Sequence, residues 1–374
     1  MELSERQKRY KAIEDYRARS LIVYATSTRQ GVPAIMAGDV VREFVDQIDA
    51  IPDGQQVDVL MHSTGGDALA SWKLMSILRE RFQRVSVLVP FMAFSAATLF
   101  ALGAEQIVMH PHASLGPIDP QVTIPQPDGT RRQFSYEDVG ALLRFLATEV
   151  KISEQVYVSA VIEKLFSVVD PLTMGSAKRA SELSSSVGER LLLMHMGEDR
   201  DGARQIAENL NKTFFAHSDA VSRSRGKELH LKIADDDKQL EKLMWEAYLG
   251  LESYMELRKP FHPIQHFLAN PQAAATLQPP APLAIPPNAP PQIVAGLWQA
   301  ATQQTLMNQG RRPVEVEYSI VMAVLESTRA CSEYRTKGKL SAFRAPNGEI
   351  QLCMTDTEAA WKRVDAAGLA AATA

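Results

Sequence analysis

The chain predicts an α/β protein built around a parallel sheet, and three observations carry that reading. Strand-like and helix-like segments alternate through the first 110 residues. A charge-free run, VSVLVPFMAFSAATLFALGA at 85–104, breaks in two at Pro90. Residues 136–257 then read as mostly helical.

SLIVYAT at 20–26 has the composition of a buried strand, and an apolar-periodic helix is expected near 38–48 before a second strand, VDVLMHS, at 57–63. Ala68, Trp72, Met75, Leu78 and Phe82 recur at three- and four-residue spacing, which lays an apolar face along a helix, with Asp67 at its N-cap. Val85, Val87 and Val89 alternate as a strand. A hydropathy window would read the whole run 85–104 as a membrane span, but Pro90 ends the strand and Ser95-Ala96-Ala97-Thr98 opens a short helix of small residues. A further strand follows at Gln106–Met109, so three strand–helix steps precede residue 110. Helices are expected at 136–149, 153–167, 176–195, 201–211 and 238–257. Eight prolines within 271–291, set among Ala and Gln, predict a linker with no single packed conformation. Beyond it, Asn347-Gly348 between KLSAFR and EIQLCM is a hairpin turn. The division expected is a main domain at 1–258, a Pro/Ala/Gln-rich linker at 259–313 and a small α+β unit at 314–374.

At 374 residues the chain can bury a sizeable core. A net charge of -4 and a pI near 6.1 give no electrostatic reason for nucleic acid or an anionic membrane as partner. The two cysteines, Cys331 and Cys353, form no CxxC pair, and the N-terminus is charged throughout without the apolar core of a secretory signal. A reducing, cytoplasmic setting with no membrane span is therefore expected. The eight histidines show no HExxH, and GxGxxG and GxxxxGKS are absent, so neither a metal nor a nucleotide cofactor is indicated.

Two segments carry chemistry. His62-Ser63-Thr64-Gly65-Gly66-Asp67 joins a strand to a helix, and its two glycines let backbone N–H groups approach a bound carbonyl. Ser95 stands at the mouth of the next helix, where the Ala96 N–H and the positive helix end favour an oxyanion. Each segment alone is equally a structural turn or an N-cap. Their order, strand, Gly-Gly, helix, strand, serine, helix, brings both helix mouths to one edge of a parallel sheet and makes Ser95 the candidate nucleophile.

HSTGGD, VLVPFMAFSAATLFALGAEQIVM and ASLGPIDPQ resemble the serine dehydrogenase proteinase family, relatives of signal peptide peptidase A within the Clp-protease/crotonase superfamily. The similarity runs from about residue 10 to about 257 and is strongest at 62–121. The resemblance implies a Clp/crotonase-like spiral of ββα units, a homo-oligomer, and a serine peptidase acting on a peptide or protein substrate, a membrane protein included. It places the nucleophile at Ser95 and the oxyanion hole at the backbone of Gly65 or Gly66 with Ala96. The family's usual serine motif is nearer HSAGT, whereas Phe94 and Ala97 stand here. A Clp-type histidine base is absent at its spacing, where GPIDPQ occupies 116–121. Peptidase A relatives use a lysine downstream, and Lys151 has a suitable spacing, with Lys164, Lys178 and His217 as alternatives. A lysine base must be neutral, which requires burial or a neighbouring cation. Asp119 reads as the anchor of a turn beneath the site. Two rival readings use the same fold: a crotonase-like acyl-thioester enzyme and a non-catalytic oligomeric scaffold.

Overall fold

The computed structural model describes residues 1–52, 54–125, 130–212, 220–277, 285–309, 314–344 and 349–364. α1 (Leu3–Arg17) and β1 (Ser20–Thr26) lead through a 3-10 turn at Gly38–Val40 into α2 (Val41–Asp49). β2 (Gln56–His62), α3 (Ala68–Arg81), β3 (Arg84–Val89), β4 (Met92–Ala93), α4 (Ala96–Leu102) and β5 (Gln106–Met109) complete the strand–helix alternation. Next come β6 (Ser114–Leu115), the hairpin β7 (Gln121–Pro125) and β8 (Arg131–Ser135), and the helices α5 (Tyr136–Thr148), α6 (Gln155–Phe166), α7 (Pro171–Met196), α8 (Arg200–Lys212), α9 (Arg223–Glu228) and α10 (Lys238–Tyr254). α11 (Pro263–Leu268), α12 (Pro271–Thr276), α13 (Pro291–Gln309), β9 (Val316–Glu326), β10 (Cys331–Arg344) and β11 (Ile350–Arg363) close the chain.

The main sheet has seven strands in the order β11-β10-β9-β1-β2-β3-β5. β1, β2, β3 and β5 are parallel, with Ser20 opposite Val57 and Gln56 opposite Arg84. Strands of a parallel sheet are covered on both faces and so carry continuous apolar runs, and every residue of β1 after Ser20 is buried. Ile22, Val59 and Val87 face α2, α3, α4 and α7, while Leu21, Val23, Leu60 and Leu88 face α1 and α10. Above the sheet, β4 and β6 pair in parallel and a bridge joins Ser63 to Ala93. That displaced second layer splits the run 85–104 into β3, β4 and α4. Among the described residues no helix is long and apolar enough to cross a membrane.

The C-terminal part departs from expectation in two ways. Residues from Val316 onward form three strands and, among the described residues, no helix, so the expected α+β unit is an antiparallel meander. It does not stand apart, because β9 pairs antiparallel with β1 (Tyr24 opposite Leu325) and prolongs the main sheet. The long alternating strands satisfy their backbone groups only by joining a sheet edge, and β1 offers one. The expected Asn347-Gly348 turn lies outside the described residues, between two strands that do pair as a hairpin.

The segment expected to be an unpacked linker is partly built. Pro263 and Pro271 occupy first-turn positions of α11 and α12, where proline's fixed φ and missing N–H are compatible with a helix start. Phe261, Phe267, Ala273 and Leu277 then pack against Val316, Tyr318 and Leu340. Pro291 likewise opens α13, while residues 278–284 and 310–313 of the expected linker lie outside the described residues.

A buried ion pair ties the two chain ends. Arg6 Nε lies 3.0 Å from Glu326 Oε2, Tyr10 donates to the same oxygen at 2.6 Å, and the Arg6 guanidinium stacks 3.7 Å above the Tyr254 ring centroid. Burial opposes the Arg6 charge, and the Glu326 carboxylate outweighs it, holding the guanidinium firmly protonated. Cys331 also faces Glu326, and burial followed by that negative charge pushes its thiol well up, which makes it a poor nucleophile.

Removing one member of a buried pair leaves an uncompensated charge, so Arg6→Met is expected to cost about 3–5 kcal/mol in urea unfolding. Arg6→Met combined with Glu326→Leu should recover much of that loss, and a double variant as unstable as the single one would contradict the account. Deleting residues 261–374 exposes the β1 edge as well as Arg6. The truncated chain is expected in the insoluble fraction, and a soluble, cooperatively melting fragment would count against this dependence.

Candidate active site

The site forms where two strand-to-helix turns meet at one edge of the sheet. In the first turn Gly65 and Gly66 have φ of +98° and +148°, values that side chains rarely tolerate. A Cβ on Gly65 would sit 2.4 Å from the Phe94 carbonyl oxygen and 2.8 Å from Ser95 Cβ, and one on Gly66 would meet the Met36 carbonyl oxygen at 2.1 Å. Both glycines are therefore required by close backbone approach. Asp67 caps α3 through its Oδ1, which accepts from Leu69 N–H at 2.8 Å.

Hydrogen bonds stitch the two turns together. Ser63 N–H donates to Met92 O at 3.2 Å and Phe94 N–H to Ser63 O at 3.0 Å. Ser63 Oγ accepts from Gly65 N–H at 3.0 Å and from Thr26 Oγ1 at 2.8 Å. Ser71 Oγ donates to Ala96 O, and Thr98 Oγ1 bonds to Ala93 O at 2.7 Å.

Ser95 is the strained residue of this arrangement. Its φ of 52° and ψ of -116° lie in a region sparsely populated by residues with a Cβ, and it immediately precedes α4 without capping it. Its side chain is half-buried and opens on a cleft of about 380 Å³. Gly65, Gly66 and Asp67 form one wall of that cleft, and Leu99 and Ile118 another. Ala180, Leu183 and Ser184 of α7 close it. The contribution of α7 was not readable from the sequence, where that helix carried no chemical motif.

Of the three expected oxyanion donors, Gly65 N–H is engaged by Ser63 Oγ. The bridge between Met36 and Gly66 uses Gly65 O and Asp67 N–H, and among the described residues no hydrogen bond engages the N–H of Gly66 or of Ala96. Ala96 follows Ser95 in the chain, and Gly66 lines the same cleft as Ser95.

The expected bases lie elsewhere. No lysine or histidine is among the described residues lining the cleft. Lys151 is exposed after α5 at a left-handed backbone position, φ 62°. Lys164 is exposed on α6. Lys178 is exposed 3.7 Å from Glu182 and lines a different cavity, of about 320 Å³. His217 lies outside the described residues. Asp119 accepts from Gln121 Nε2 at 2.7 Å, a bond between two side chains. His62 is fully buried against Tyr248 and Phe91, with ring centroids at 5.0 and 6.2 Å. Its Nε2 lies 3.3 Å from Thr28 Oγ1, its Nδ1 has no partner, and burial pushes its pKa down to about 4.

Comparison with known proteins places the segment that builds the two turns beside the ClpP-like serine proteinases. Residues 27–130, just over a quarter of the chain, match the family of ClpP-like SDH-type serine proteinases. An uncharacterised protein of Methanocaldococcus jannaschii is 26% identical over 191 residues, 51% of this chain, and the chain spans only 56% of that relative's length. Among solved structures, a mutant of the 1510-N membrane-bound stomatin-specific protease is similar at 14% identity, covering 56% of this chain and 79% of that one with a TM-score of 0.35. ClpP1 from Listeria monocytogenes is similar at 14% identity over 62% of this chain and 97% of its own, with a TM-score of 0.32.

The lowered pKa of His62 has a thermodynamic sign. The native state holds the ring neutral while the unfolded chain binds a proton near the ordinary value of 6.5, so stability present above that value falls as pH drops toward about 4. A slope of roughly 1.4 kcal/mol per pH unit is expected from this one group. Urea titrations between pH 7 and 4.5 should show a shallower loss in His62→Phe than in wild type, and equal slopes would remove His62 as the cause.

Proposed function

We propose that the protein is a serine peptidase that cleaves peptide bonds through Ser95. The observation that carries this reading is the strained Ser95 backbone, pinned against Gly65 and opening on a cleft that Gly66 also lines, with the N–H groups of Gly66 and Ala96 unengaged among the described residues. Ser95 Oγ attacks the substrate carbonyl carbon as its proton passes to a base. The oxyanion of the tetrahedral intermediate is held by Gly66 and Ala96 N–H, where one donor is typically worth about 100- to 1000-fold. The C–N bond breaks as the base returns the proton to the leaving amine, and water then hydrolyses the Ser95 ester.

The base we assign is Lys151, and the assignment needs the α5–α6 arm to move onto the cleft. Supporting this, α6 has no buried residue although it is rich in apolar side chains, and Leu143, Phe145, Val156 and Tyr157 of the arm are exposed. Association of a second copy would cover those side chains and carry Lys151 with them, which agrees with a homo-oligomer as the working form. Enclosure would also strip water from the amine, as a neutral lysine requires.

Labelling by a fluorophosphonate probe tests both assignments. Wild type should label and Ser95→Ala should not, while Lys151→Ala should slow labelling by about 100-fold or more. Unchanged rates in Lys164→Ala and Lys178→Ala would support Lys151 specifically. Labelling that survives Ser95→Ala would refute the nucleophile, and full labelling of Lys151→Ala would transfer the base role elsewhere. An unlabelled wild type that binds coenzyme A would favour the acyl-thioester enzyme, in which the same two N–H groups stabilise an enolate.

A further inference from the structure

A second cavity, of about 460 Å³, lies beside the Ser95 cleft, and Ile35 lines both. Tyr24 and Met322 contribute to it, and Tyr334 of β10 and Trp361 of β11 stand edge to face with centroids 5.7 Å apart. Ile35 itself is 65% exposed between the two cavities. A large apolar side chain left standing in water at the join of two concavities, beside half-buried aromatic rings, marks a surface that something covers.

The segment carrying Ile35 is held rigidly. Met36 N–H donates to Gly65 O at 2.7 Å and Asp67 N–H donates to Met36 O at 2.8 Å, so the backbone beside Ile35 is bonded to the same loop that supports the nucleophile. A chain lying in the Ser95 cleft and crossing Ile35 enters the second cavity directly. Among the described residues that line it, the one charged group is Asp39, exposed and already accepting from Trp361 Nε1 at 2.9 Å. The remaining walls are aromatic or aliphatic, with the buried Tyr24 ring as one of them.

We propose that this cavity is a substrate subsite for a large apolar side chain, Leu, Met or Phe, on one side of the bond cleaved at Ser95, with Trp361 and Tyr334 as its specificity-determining residues. The inference rests on the Ser95 reading and extends it, because Trp361 and Tyr334 lie outside the segment 27–130 that matches the family. The C-terminal meander thereby has a role in choosing the substrate as well as completing the sheet.

Two measurements on the full chain separate the subsite from the nucleophile. A quenched-fluorescent peptide library scanned at each position should show Leu, Met or Phe preferred over Asp and Lys at one position by about tenfold or more, the discrimination one apolar pocket supplies. Trp361→Ala should abolish that preference through KM while fluorophosphonate labelling of Ser95 is unchanged, and Trp361→Phe should retain it. Anisotropy with a fluorescein-labelled hexapeptide of Leu and Phe on Ser95→Ala protein reads binding without chemistry. Ser95→Ala/Trp361→Ala should bind it about tenfold more weakly. Equal binding by the two proteins, or a preference for Asp or Lys at the affected position, would overturn the subsite. Loss of labelling in wild type with the binding difference intact would instead overturn the nucleophile.

Discussion

The contact on which the site depends is between two stretches of backbone. Gly65 lies so close to Phe94 and Ser95 that no side chain fits between them, with the Phe94 carbonyl oxygen only 2.4 Å from where a Cβ would stand. That approach fixes the first turn against Ser95 and the start of α4. Strain of this kind persists only where surrounding bonds over-determine it. Here the hydroxyls of Ser63, Ser71 and Thr98 do so, each bonded to the backbone of one of the two turns. None of the three needs to touch a substrate for the site to depend on it.

Parallel pairing of β2 with β3 puts the two turns side by side, and the sheet that supports them is completed from the far end of the chain. β9 covers the open edge of β1, and Glu326 at its end receives both Arg6 and Tyr10 from the first helix. A buried pair of this sort contributes little net stability against an apolar alternative, yet it penalises strongly any arrangement in which one partner is missing. It thereby specifies that the meander docks on β1 with this register. The same docking brings Tyr334 and Trp361 to the cavity beside Ile35.

The α5–α6 arm contrasts with this packed body. α6 buries none of its residues, and its apolar side chains gain nothing from the single chain. A helix that short draws its stability mainly from packing of its apolar face, and α6 lacks that packing in the single chain. Lys151, which follows α5, is exposed and does not line the Ser95 cleft.

Much of the α/β core was legible in sequence because its signals are local. β1 and β5 begin and end where the apolar runs do, Pro90 divides the charge-free stretch, and Asp67 caps α3 as its position suggests. The Gly-Gly pair and Ser95 were legible as candidates for the same reason: each sits at the junction of a strand and a helix. What tertiary structure decided involves residues far apart in the chain. Ser63 Oγ takes the Gly65 N–H and so selects Gly66 over Gly65 as a free donor, and α7 supplies a wall that no motif announced. Prolines at 263 and 271 mark helix starts that become visible as packed structure only once Val316 and Leu340 are there to receive Phe261 and Phe267. Sequence determined the elements and the residue types able to do chemistry, since propensity and periodicity act over a few residues. Which N–H stays free, which lysine is kept out of the cleft and which edge the meander joins depend on contacts between distant segments, and those exist only in the folded chain.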